Sequence, residues 1–241
     1  MANKTIKVTV WNENKHEKTS ERLNELYPGG LHTYIAGFLD KDEEIEVRTA
    51  TLDDPECGLT QEVLQDTDVL VWWGHMAHHE VPDEVVIRVQ NAVLAGMGLV
   101  VLHSGHHSKI FKRLLGTTCN LKWRDGARER IWTVKPNHPI ADGVPETFAL
   151  DCEEMYGEPF DIADPQEVVF MGWFNGGEVF RSGCTWVRGN GKIFYFQPGH
   201  ETNPSFQNEH VQRIIRNAVH WAAPVKKNIP LICPMVQPVE G

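Results

Sequence analysis

The chemistry in this chain is concentrated in its histidines, twelve among 241 residues, and they arrive in groups. His103, His106 and His107 follow an apolar run, Gly98-Leu99-Val100-Val101-Leu102. His75, His78 and His79 follow Val69-Leu70-Val71-Trp72-Trp73, and His16 follows the alternating segment 6–10. A fourth group, Gln197-Pro198-Gly199-His200-Glu201, follows residues 192–196. Imidazoles titrate near neutrality, so converging ones suit general acid–base catalysis; with a carboxylate they also suit a divalent ion such as zinc. No His-Glu-x-x-His and no cysteine pair decides between the two. Any one of these histidines serves equally well as a solvated loop residue, but a whole group at one strand end is harder to explain that way. His32 and His220 lie in helical segments and His138 precedes a proline, positions that suit structural or turn-capping roles.

A carboxylate is offered by Leu150-Asp151-Cys152-Glu153-Glu154-Met155-Tyr156-Gly157-Glu158. Neighbours on an extended chain point to opposite sides, so at most one of Glu153 and Glu154 faces a site. Glu154 is the choice because Tyr156 shares its side; a solvated acidic loop is the competing reading. The expected catalytic set is therefore His103, His200 and Glu154. Trp73, His75, His106, Tyr156, Trp173 and Glu201 are the expected substrate contacts, the indoles as stacking surfaces that would serve equally well as core. For a divalent ion, zinc first, the expected ligands are His16, His103 and His200. No nucleotide cofactor is expected.

These groups meet only if the elements place them at one edge. Residues 98–103 form a short apolar run bounded by glycine, the pattern of a strand buried on both faces, with Gly105 turning the chain into a helix that Gly116 closes. Residues 6–10, 44–49 and 68–73 read as further strands. Leu31, Tyr34, Ile35 and Phe38 recur at helical spacing, and Val85, Val86, Val89, Val93 and Leu94 line one face of a helix beginning near Pro82. Strand and helix alternate four times, which implies parallel strands with right-handed crossovers. Residues 131–134, 168–174, 178–187 and 192–196 are separated by Gly-containing turns such as Asn175-Gly176-Gly177 and read as appended antiparallel strands. Residues 211–221 form a closing helix. The expected fold is a single doubly wound α/β domain over 1–241, with its core in 5–222 and an extended proline-containing tail over 223–241. In such sheets ligands bind beyond the carboxyl ends of the strands, where strand order reverses.

Bulk composition narrows the partners. A net charge of −10 disfavours nucleic acid and anionic membranes, and no run nears the ~18 apolar residues that span a bilayer. The five cysteines are scattered, which suits reduced thiols and a cytoplasmic location, and residues 1–5 carry no signal-peptide core. The proline-containing tail and the aromatic content suggest a homo-oligomer.

Leu102-His103-Ser104-Gly105-His106-His107 followed by Leu114-Leu115-Gly116 resembles the nucleophile elbow of class I glutamine amidotransferases, with His103 where that family has cysteine. Gln197-Pro198-Gly199-His200-Glu201 resembles the same family's late Gln-Phe-His-Pro-Glu with altered spacing. Lacking the nucleophile, this chain is expected to have no amidotransferase activity. The blocks Trp72-Trp73-Gly74-His75-Met76-Ala77-His78, Leu102-His103-Ser104-Gly105-His106, Glu153-Glu154-Met155-Tyr156-Gly157-Glu158 and Pro198-Gly199-His200-Glu201 are similar to those of ThuA-like trehalose-utilisation proteins, a branch of that superfamily. The resemblance implies a flavodoxin-like fold and a role in the catabolism of trehalose or related disaccharides, including 3-keto-sugars. Two functions remain open: an enzyme acting on a sugar or keto-sugar, or a non-catalytic sugar-binding or regulatory module. A purely structural metal held by the histidines is a third, weaker reading.

Overall fold

A computed structural model describes residues 5–240. The first half alternates strand and helix: β1 (Ile6–Asn12), α1 (Glu21–Leu26), α2 (Leu31–Leu39), β2 (Ile45–Thr51), α3 (Gln61–Asp66), β3 (Val69–Trp73), α4 (Asp83–Leu94), β4 (Gly98–Leu102) and α5 (Lys109–Leu115). The second half supplies β5 (Lys122–Thr133), β6 (Thr147–Gly157), β7 (Glu167–Phe174), β8 (Val179–Arg188), β9 (Gly191–Phe196) and the closing helix α6 (Glu209–Ala222). Among the described residues these strands form one sheet in the order β2-β1-β3-β4-β9-β8-β7-β5-β6. The run from β2 to β9 is parallel, and from β9 to β6 neighbours are antiparallel. The parallel part has the flavodoxin-like order, whose reversal lies between β1 and β3.

Residues alternate between two cores. Leu70, Trp72, Leu99 and Val101 pack with Val85 and Val89 of α4 and Phe111 of α5. Val69, Val71, Val100 and Leu102 pack on the opposite side with Ile35 of α2 and Ile214 and Val219 of α6. Both faces of β3 and β4 are therefore covered, as their unbroken apolar sequences require.

Three expectations are corrected. Residues 192–196 belong to the parallel core, because β9 pairs with β4 in parallel while joining the antiparallel strands through β8. This places His200 at the same edge as His103. The backbone that turns at the end of β4 is that of His103, with φ of 48°, rather than Gly105. Gly105 is needed for close approach: a Cβ there would lie 2.9 Å from Val101 Cγ1 and 3.3 Å from the Trp72 carbonyl oxygen. Finally, the strand expected over 131–134 begins at Lys122, because bulges between Arg124 and Glu129, around Gly126 at φ 70°, interrupt the alternation that would have revealed it.

Candidate active site

Four parallel strands deliver polar side chains to one edge. Beyond β1, Glu13 is buried and its carboxylate accepts from the backbone N–H groups of Met76 (2.8 Å) and Ala77 (3.0 Å), fixing the turn that carries His75. Beyond β3, the buried Trp73 indole lies nearly parallel to the His75 ring, centroids 6.2 Å apart, and donates to the Gly199 carbonyl at 3.0 Å. Beyond β4 come His103, Ser104 and His106, all buried; Ser104 Oγ donates to the Gly74 carbonyl at 2.8 Å. Beyond β9, the chain runs through Gln197 to His200 and Glu201.

β6 completes the wall. Glu154 and Tyr156 share a face, and Glu154 Oε2 lies 3.0 Å from His103 Nε2. The Tyr156 hydroxyl is 3.3 Å from that nitrogen, and the two rings stack at 4.9 Å. His103 Nδ1 contacts the Gln197 carbonyl at 2.7 Å, and since a carbonyl only accepts, Nδ1 carries a proton. His106 Nδ1 likewise donates to the Cys119 carbonyl at 2.7 Å, which leaves Nε2 as the bare acceptor of the neutral ring.

Burial and charge set the protonation states. Burial opposes an imidazolium at His103, but the Glu154 carboxylate, with Glu153 behind it, outweighs that cost and moves the group up. Burial pushes Glu154 up, and His103, His200 and His75 override it and hold the carboxyl below its usual range. Burial takes His75 down to about 4 and His78 to about 3, and His106 falls well below its ordinary value for the same reason. His75, His78 and His106 thus stand as neutral imidazoles around an ionised Glu154 carboxylate.

A cavity of about 500 Å³ opens over these groups, lined by His75, His78, His106, Glu154, Tyr156 and His200, with Trp123 and Asp125 of β5 at its side. The structure therefore brings Glu154, His200, His75, His106 and Tyr156 to one cavity. His103 stands behind Glu154 with no exposed surface, and both its nitrogens are occupied. It belongs to neither histidine–carboxylate group of this edge whose donor atoms lie within 4.8 Å of one another: His16 with His75 and Glu201, and His75 with Glu154 and His200. Among the described residues, both groups at this edge contain His75 and neither contains His103, whose ring the turn directs into the wall. Glu201 is buried beside His16 rather than in the cavity lining. Trp73 is scaffold beneath His75. Trp173, on β7 between Arg130 and Val179, is 41% exposed and does not line the cavity. His138 caps a turn, its Nδ1 accepting from the Ile140 N–H, and His220 pairs with Asp42.

Sequence reasoning missed Glu13, Trp123 and Glu153. Glu153 points away from the cavity, as strand alternation demands, yet is fully buried. Its carboxylate accepts from the N–H groups of Gly199 (3.0 Å) and His200 (3.2 Å) and from the Ser205 hydroxyl, so it holds the loop that carries His200.

The α/β sheet of flavodoxin-like order thus carries a polar cavity beyond its strand ends, with a histidine at the turn after β4. Over residues 7–222 the sequence matches the model of the ThuA family, trehalose utilisation, and the chain belongs to that family. Solved structures agree in fold. A ThuA-like protein of Parabacteroides merdae shares 16% identity over 94% of this chain and 95% of its own, with a TM-score of 0.67. A second, from Bacteroides uniformis, gives 14%, 95%, 96% and 0.66. A protein of Salmonella typhimurium described as cytoplasmic gives 15%, 90%, 100% and 0.63. No curated protein sequence matches. Among the described residues no helix is long and apolar enough to cross a membrane.

Proposed function

We propose that this chain is an enzyme of trehalose or related disaccharide catabolism that removes a proton from a keto-sugar, with Glu154 as the base. One observation carries the reading: a largely buried carboxylate, backed by His103 at 3.0 Å and facing the neutral imidazoles of His75 and His106, lies in the wall of the cavity. Its volume falls in the range that encloses a small ligand, and Trp123, 65% exposed at the rim, offers a flat face to a sugar ring.

The proton beside a ketone carbonyl is acidic enough for a carboxylate to take. Glu154 accepts it as the C–H bond breaks, and the electron pair moves onto the carbonyl oxygen. A cavity-facing donor such as the Tyr156 hydroxyl stabilises the resulting oxyanion. Transfer of the adjacent hydroxyl's proton to the enolate oxygen, followed by delivery of the proton on Glu154 to the former carbonyl carbon, moves the ketone to the neighbouring carbon and isomerises the sugar. Alternatively, the pair re-forms the carbonyl, a double bond develops and the glycosidic C–O bond breaks; the departing oxygen takes a proton from His200, which lines the same cavity. His103 acts through Glu154 as a positioning group. We place the protein in the cytoplasm, where its five free cysteines stay reduced.

The test is solvent deuterium incorporation into a 3-keto-disaccharide, followed by NMR. Wild type should exchange the proton beside the carbonyl and Glu154→Gln should lose about 10²–10⁴-fold in rate. Saturable binding without exchange or cleavage in wild type would overturn the enzyme and leave the sugar-binding module.

A further inference from the structure

Beyond the carboxyl ends of β1, β3 and β9, three side chains converge without satisfying one another. His16 Nδ1 lies 3.1 Å from Glu201 Oε1, and His75 Nδ1 lies 3.9 Å from the same oxygen. The two imidazole rings are 4.9 Å apart at 52°. The Glu201 side chain is 6% exposed. His16 Nδ1, His75 Nδ1 and Glu201 Oε2 are all buried without a hydrogen-bond partner. An ion pair would account for one imidazole; it leaves the second nitrogen and the second carboxylate oxygen stranded, at a cost natural structures avoid.

A metal ion resolves all three. Ligand atoms about 2.0–2.1 Å from a tetrahedral ion lie about 3.3–3.4 Å from one another, against 3.1 and 3.9 Å for the two imidazoles to Glu201 here. The donor set, two imidazoles and one carboxylate with no thiolate, is that of zinc or of a non-haem iron(II) centre, and excludes a calcium-type oxygen cage. The surroundings supply outer-shell support. Glu13 holds the turn bearing His75, and Glu153 holds the backbone of His200 beside Glu201. His200 Nε2, 3.7 Å from Glu201 Oε2, is the nearest candidate for a fourth position, with Thr202 Oγ1 at 2.9 Å from its other nitrogen.

We propose that His16, His75 and Glu201 bind one first-row divalent ion of the zinc or iron(II) class, at the reversal point of the sheet. This site shares His75 with the cavity wall but does not include Glu154, the base of the proposed reaction. The experiment uses the untagged full-length chain, stripped with chelator and dialysed against micromolar Zn²⁺, Mn²⁺ or, anaerobically, Fe²⁺, with bound metal counted by plasma mass spectrometry. About one ion per chain is expected, lost in His16→Ala and Glu201→Gln and kept in Glu154→Gln. The visible spectrum of the Co²⁺-loaded wild type, which needs no variant to fold, should show imidazole coordination at low coordination number. Sub-stoichiometric metal in wild type with no such spectrum, or full occupancy in folded His16→Ala and Glu201→Gln, would overturn the proposal. Metal binding with no keto-sugar turnover would instead overturn only the enzymatic reading.

Discussion

Replacing Glu153 by glutamine tests how the His200 loop is held. One carboxylate oxygen accepts from the N–H groups of Glu154 (2.9 Å) and His200 (3.2 Å); the other accepts from the Gly199 N–H (3.0 Å) and the Ser205 hydroxyl. Glutamine keeps one acceptor and turns an NH₂ group toward the donors on the other side. The Ser205 hydroxyl can rotate to accept from that group, but the Gly199 N–H cannot and is stranded. A buried orphaned donor costs about 1–3 kcal/mol and a charge-assisted bond contributes about 1.5–3 kcal/mol, so the net loss should be about 3 kcal/mol. For a chain of this length that corresponds to a fall in Tm of roughly 6–12 °C. Thermal unfolding measures the total, and hydrogen exchange over residues 197–207 should show lost protection at Gly199 and His200. A Tm within about 2 °C of wild type with protection retained would refute the argument, since stranding one buried N–H alone exceeds that shift.

Three further outcomes follow from named contacts. Burial works against the Glu158 carboxylate, and Arg181, at 2.7 and 2.9 Å, together with the Phe160 N–H overrides it and holds the group below its ordinary value of 4.5. A depressed folded-state pKa stabilises above pH 4.5 and is lost as pH falls, so the Tm deficit of Glu158→Gln should be full at pH 7 and close on acidification; an equal deficit at pH 3 and pH 7 would contradict this. Gly199 has φ of 131°, and a Cβ there would lie 2.4 Å from Phe206 Cζ, so Gly199→Ala should destabilise by about 1–3 kcal/mol in denaturant titration, with wild-type stability as the refuting result. Trp123→Ser should weaken sugar binding measured by calorimetry several-fold while Trp173→Ser leaves it unchanged; the reverse order would relocate the ligand.

The parallel core was legible because its signals are local. The residues of α2 repeat at 31, 34, 35 and 38, and the helix spans Leu31–Leu39. β3 and β4 are short unbroken apolar runs, which only a doubly covered strand tolerates. His75 directly follows β3, whose pattern is clear, but His200 follows a strand read as antiparallel and Glu154 lies on β6, which the sequence leaves open between strand and loop. The rest depended on contacts distant in sequence. Alternation correctly put Glu153 and Glu154 on opposite sides of β6, but nothing near them shows that the far side is covered by the 199–205 loop. The partnership of His16 with Glu201 joins residues 185 positions apart in the chain. In β5, the bulges around Gly126 destroy the period of two that a strand must show to be read, and so hid Trp123.

His103 occupies the turn after β4 in a conformation that its contacts explain. A residue with φ of 48° at the end of β4 accepts a backbone conformation costing of order 1 kcal/mol or more outside glycine, one that persists only where the surroundings over-determine it. Here the surroundings do so: Nδ1 is fixed on the Gln197 carbonyl and Nε2 faces Glu154, while Tyr156 stacks on the ring. The same contacts that offset the strain remove the imidazole from the cavity, so His103 is poorly placed to be a nucleophile or a base toward a ligand. What it can do is hold Glu154 ionised and aimed outward. In the proposed reaction the base therefore belongs to β6 rather than β4, with imidazoles from the ends of β3, β4 and β9 around it. A search for chemistry at the elbow residue alone would look one layer too deep.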